Sequence, residues 1–197
     1  MNKKTICITT LLLAACCGCL IWTAVRGKAN PQDTDIQLSE NWFIQSSAKV
    51  ALDGVQLSTE GTDFGSDWYK ASVPSTVMGA LTTENGLYSD VFYGKNYAET
   101  DRTQFDTTWW YRTSFDVPAL KEGQRAELAF DGLSYRADVW LNGEQIASAD
   151  EFFGPFRQFA FDVTDVLKER NNLAVRVYRW QKGEFNIGFV DWNPRPI

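Results

Sequence analysis

From Trp109 onward, apolar and polar residues alternate in runs of strand length, with turn residues between the runs. A repeat of two is the signature of an extended chain with one buried face, whereas a helix repeats near 3.6. The runs are residues 109–117, 126–130, 136–141, 157–163 and 172–180. Phe159, Phe161 and Val163 fall on one side of their run, and Leu173, Val175 and Val177 on one side of theirs. Each strand therefore offers an apolar face to an opposing sheet.

The turns sharpen this. Residues 136–141 run into Asn142-Gly143, and Gln145-Ile146-Ala147 return from it. Asn-Gly supplies the two positive φ angles of a tight hairpin. Thr164-Asp165-Val166-Leu167-Lys168 predicts a single capped helical turn. Ser75 to Leu81, after Pro74 and before Gly86, predicts a short helix inserted among strands. Together these predict an all-β sandwich or jelly roll with one or two short helices.

With 197 residues, the chain holds one ordinary domain once an N-terminal segment is set aside. Hydrophobic residues make up 44% and aromatics 14%, enough to bury a core. The formal charge is −6, and no basic face is offered to a phosphate backbone, so nucleic acid is not an expected partner. The chain has no histidine, which excludes a serine triad and His-based zinc chemistry. All four cysteines, Cys7, Cys16, Cys17 and Cys19, precede residue 20, leaving no thiol for chemistry in the folded part. No metal and no cofactor is expected.

Residues 1–30 read as an address and linker, and residues 31–197 as the folded domain. Lys3-Lys4 followed by an apolar run to Ala15 has the form of an export signal. Leu13-Ala14-Ala15-Cys16 resembles the bacterial lipobox, which would make Cys16 a lipidated membrane anchor. The apolar run continues to Val25, however, and is long enough to span a bilayer as an uncleaved helix; simple secretion is the third alternative. Each places the domain outside the cytoplasm, in the bacterial periplasm or cell envelope.

Several segments, in order and at consistent spacing over about residues 39–196, carry a resemblance. They are Asn41-Trp42-Phe43-Ile44-Gln45-Ser46-Ser47, Val73-Pro74-Ser75-Thr76-Val77, Tyr93-Gly94-Lys95-Asn96, Trp109-Trp110-Tyr111-Arg112, Phe130-Asp131-Gly132, the stretch from Tyr135 to Gly143, and Phe189-Val190-Asp191-Trp192-Asn193-Pro194. Together they resemble the N-terminal, galactose-binding-like domain of family 2 glycoside hydrolases, in the exo-β-glucosaminidase and β-mannosidase branch. The resemblance implies a jelly-roll-like β-sandwich packed beside an immunoglobulin-like domain and a catalytic barrel. It also implies retaining hydrolysis of terminal β-linked sugars by two glutamates about 5 Å apart. Both glutamates belong to the barrel, so residues 1–197 are not expected to hydrolyse a glycoside by themselves.

In this family the end of the domain lends an aspartate to the rim of the sugar pocket, and Asp191 matches that position. A carboxylate there accepts directional hydrogen bonds from ring hydroxyls. Asp106 matches a second position near the pocket less well and reads better as a loop residue. Trp192 is a stacking candidate for a pyranose face, while Trp109 and Trp110, inside a strand, fit a core better. Arg136 and Asp138 share a face of their strand and predict a structural ion pair. The expected partners are a glycan, the immunoglobulin-like and barrel domains, and a membrane through the N-terminus. Two other readings compete: a free-standing envelope carbohydrate-binding module with an exposed aromatic platform, and a structural lipoprotein domain that touches no sugar.

Overall fold

The structure is a computed structural model that describes residues 3–8, 34–88, 90–101, 103–181 and 184. Among these residues, ten strands form two sheets. They are β1 (Lys3–Ile8), β2 (Asp35–Gln37), β3 (Trp42–Ser46), β4 (Tyr69–Ala71), β5 (Trp109–Asp116), β6 (Arg125–Phe130), β7 (Ala137–Leu141), β8 (Glu144–Ala147), β9 (Phe159–Asp162) and β10 (Arg170–Val177). One sheet has six strands in the order β4-β3-β5-β10-β7-β8, all antiparallel. The other has the order β2-β1-β6-β9, in which β1 runs parallel to both neighbours and β6 pairs antiparallel with β9. The fold among the described residues is thus a β-sandwich with few, short helices.

The core between the sheets follows the alternation. Leu128 and Phe130 from β6 meet Tyr111, Val139, Leu173 and Val175 from the large sheet. Phe130, Phe152, Phe159 and Phe161 pack as a group, with Phe130 to Phe152 centroids 4.8 Å apart and Phe152 to Phe159 4.6 Å. Such tilted and edge-on pairs add about 0.5–1.5 kcal/mol each beyond the area they bury. Trp42 sits in the same core and donates its indole N–H to Leu38 O at 2.8 Å.

The hairpin forms as the sequence predicts: Asn142 has φ 52° and Gly143 φ 90°. Asn142 also donates from its side chain to Val166 O and Asn171 Oδ1, both at 2.8 Å, which makes it a structural residue. The predicted short helix is present as α2 (Val77–Gly79), continued by a π-helical turn at Ala80–Glu84. Thr76 caps it, accepting from Gly79 N at 2.9 Å.

Residues 163–167 close the single capped turn that the sequence predicts: Leu167 N donates to Val163 O at 2.8 Å and Thr164 N to Asp162 Oδ1 at 3.0 Å, and Ala126 N donates to Thr164 Oγ1, which ties the segment to the edge of β6. Two expectations need correction. Arg136 does not pair with Asp138; its Nε lies 3.0 Å from Glu184 Oε1, and Asp138 accepts from other donors described below. The large sheet, finally, is buried on both faces. Its outer face carries Trp110, Trp140 and Ala174, covered by α1 (Gly54–Leu57) and by Leu57, Phe64 and Trp68. The helix α1 starts at a capping box in which Asp53 accepts from Gln56 N and Gln56 Oε1 accepts from Asp53 N. Another short helix, α3 (Asn96–Glu99), follows the exposed Phe92 and Tyr93.

Candidate functional site at one end of the sandwich

At Val177 the strand β10 leaves the sheet, beside the first residues of β5 and β7. Tyr178 N donates to Arg136 O at 3.0 Å and sets the direction of the departing chain. The Tyr178 hydroxyl donates to Asp138 Oδ2 at 2.6 Å, while Asp138 Oδ1 accepts from Ala149 N at 2.7 Å. The guanidinium carbons of Arg136 and Arg176 each lie 5.1 Å from the centroid of the Tyr178 ring, and Arg176 also lies 5.6 Å from the ring of Trp110. A guanidinium over an aromatic face is held by the ring quadrupole. Burial, then the bond to Asp138, raises the Tyr178 pKa above that of a free phenol.

Beyond this cluster the chain closes a short turn. Trp180 donates its indole N–H to Glu184 O at 3.0 Å, and Gln181 N donates to Glu184 Oε2 at 2.7 Å. Glu184 Oε1 meets Arg136, so the turn is pinned to the start of β7. Arg179 forms an ion pair with Asp106, which follows the 3-10 turn Thr103–Phe105. Phe105 anchors that turn by stacking on Trp109 at 6.5 Å and 23°. Both members of the Arg179–Asp106 pair are more than half exposed, so the pair contributes little to stability but presents donors and acceptors to solvent.

Of the residues singled out from sequence, Asp106 is therefore at this end and accessible. Asp191, Trp192 and Cys16 lie outside the described residues. Trp109 and Trp110 are buried in the two cores, at 5% and 4% exposure, and do not form a sugar platform. Arg179, Trp180 and Glu184 were not foreseen. The signal was present in Tyr178-Arg179-Trp180, three large side chains in succession where the alternation of β10 stops. Chemically, Asp106, Asp138 and Glu184 are each engaged by a cation or by N–H and O–H donors, an arrangement suited to holding a polar ligand. Among the described residues no group of His, Cys, Asp and Glu could hold a metal ion, and no helix is long and apolar enough to cross a membrane.

Residues 42–186 match the family model described as glycosyl hydrolase 2 galactose-binding domain-like. An exo-β-D-glucosaminidase of Amycolatopsis orientalis is 33% identical over 196 residues, covering 95% of this chain and 18% of the relative. A mannosylglycoprotein endo-β-mannosidase of Lilium longiflorum is 35% identical over 151 residues, covering 72% of this chain and 15% of the relative. The crystal structure of an exo-chitosanase of Amycolatopsis orientalis superposes with a TM-score of 0.63 at 36% identity, covering 71% of this chain and 16% of that one. The chain thus spans less than a fifth of the length of these relatives.

Proposed function

Because this chain belongs to the galactose-binding-like N-terminal domains of family 2 glycosyl hydrolases, we propose that it serves an exported glycosidase acting on terminal β-linked glucosamine or mannose. The observation that carries this reading is the 33% identity to an exo-β-D-glucosaminidase, sustained over 95% of the chain. In this reading the catalytic glutamates belong to another domain, and the sandwich closes one side of the sugar pocket. Asp191 accepts hydrogen bonds from ring hydroxyls there, Trp192 stacks on the sugar, and Asp106 contributes from the neighbouring turn. The Arg179–Asp106 pair supports a polar, ligand-facing role for this end of the sandwich. Lys3-Lys4 with its apolar run directs export, and Cys16 or an uncleaved N-terminal helix anchors the protein to the membrane.

An immunoblot of fractionated cells, with an assay of the immunoprecipitate on chitosan and mannan oligosaccharides, tests the reading. It predicts a protein several times larger than 22.3 kDa in the envelope fraction that releases monosaccharide from non-reducing ends. A native product of this size with no hydrolase activity would overturn it.

A further inference from the structure

Trp180 differs from the other tryptophans whose surroundings are described. Trp42, Trp68, Trp109, Trp110 and Trp140 are all buried, whereas Trp180 is 38% exposed. Its polar edge is already spent: the indole N–H is bonded to Glu184 O inside the turn. That turn is held by Gln181 N on Glu184 Oε2 and by Arg136 on Glu184 Oε1, so the ring is fixed before any ligand arrives. The exposed part of such a ring is an apolar surface on a prepaid rotamer, the condition under which stacking adds most to affinity. Adjacent in the chain, the exposed Arg179–Asp106 pair offers N–H donors and carboxylate oxygens at the same end of the sandwich.

Resting on the function proposed above, we infer that Trp180 is the stacking platform of a sugar subsite, taking the C–H face of a β-linked pyranose whose hydroxyls meet Arg179 and Asp106. An apolar face edged by a few fixed polar groups is the usual composition of a small-ligand site. Phe92 and Tyr93 are more exposed, at 87% and 79%, but neither side chain is held by a hydrogen bond or ring contact among the described residues. Either would lose rotamer freedom on binding, which Trp180 has already lost.

The test is calorimetric titration of the full chain with a chitosan hexamer and with a mannan hexamer, for the wild type, Trp180→Ala, Trp180→Phe and Trp192→Ala. Trp180→Ala is expected to weaken binding roughly three- to tenfold, the range for loss of one aromatic contact, with no change in melting temperature. Trp180→Phe keeps a ring and should retain most of the affinity, which separates stacking from any effect of the lost indole bond on folding. Wild-type affinity in Trp180→Ala together with a loss in Trp192→Ala would overturn the inference and leave the glycosidase reading standing. Absence of binding to either sugar by the wild type would overturn this inference and count against the sugar-facing role as well.

Discussion

Gly54 lies under the indole of Trp140, and a Cβ built on it would sit 2.1 Å from Cδ2 and 2.3 Å from Cε3. Trp140 is itself buried against Trp110, with centroids 5.4 Å apart, so it has no free volume into which to swing. Gly54→Ala is therefore expected to cost about 1–3 kcal/mol, the range for overpacking, although alanine is the better helix former. Urea unfolding followed by tryptophan fluorescence would show the shift, and a midpoint at or above the wild type would disprove the contact. Two phenols make a second prediction. Burial raises the pKa of Tyr111, and burial with the Asp138 bond raises that of Tyr178, both from an ordinary value of 10.0. The folded state thus holds these protons more tightly than the unfolded chain does. Their stabilising contribution is complete below pH 10.0 and is lost as the pH rises from there through the folded values. Unfolding free energy should fall with pH only above this point, and Tyr111→Phe should flatten that alkaline decline; an unchanged slope would remove Tyr111 from the account.

At the scale of elements, the layer over the outer face of the large sheet depends on Arg112. This residue is buried in the middle of β5, and its Nε donates to Leu57 O at 2.9 Å while Nη2 donates to Asn172 Oδ1 at 3.2 Å. Its guanidinium carbon is 4.0 Å from the centroid of Phe64, so one side chain pins both α1 and the loop before β4. Arg112→Lys keeps the charge but not the planar fork, and should cost about 1.5–3 kcal/mol, as for a lost hydrogen bond from a charged group. Thermal unfolding would measure it, together with faster proteolysis of residues 58–68; a protease pattern like the wild type would show that the layer is held by packing without Arg112. This layer marks the limit of what the sequence made legible. Alternation located β5, β6, β7, β9 and β10, and Asn142-Gly143 located the hairpin from β7 to β8, because those signals are local. Alternation also implied one buried face per strand, yet all five residues of β7 are buried. The second burial comes from residues 53–68, whose apolar side chains follow no period and whose helix is a single capped turn. The site divides in the same way. Asp106 carried only a weak motif match that read better as loop, and its partner Arg179 and the clamp on Trp180 depend on distant segments meeting at the end of the sandwich.

The whole molecule raises a question of which chain end completes the small sheet. Lys3 to Ile8 pair in register with Arg125 to Phe130, and Thr5 to Cys7 pair with Asp35 to Gln37, so β1 joins β2 to the rest of its sheet. Without β1, the strand β6 would keep β9 as its one strand partner among the described residues and would present a row of unpaired N–H and C=O groups over Leu128 and Phe130, two of the most deeply buried side chains. An open edge of that kind recruits other strands. Cleavage before Cys16, as a lipobox requires, would remove β1, so maturation by that route and the four-stranded order β2-β1-β6-β9 exclude each other in one molecule. A chain starting at Asn30 should accordingly melt at a lower temperature than the full chain and associate as its concentration rises, measured by calorimetry and light scattering. Adding a second change, Ala129→Lys, on the partly exposed outer face of β6, should suppress the association by placing a charge at the open edge. If the shortened chain is monomeric and melts with the full one, β1 contributes nothing to the sheet, and the edge of β6 is protected by other residues.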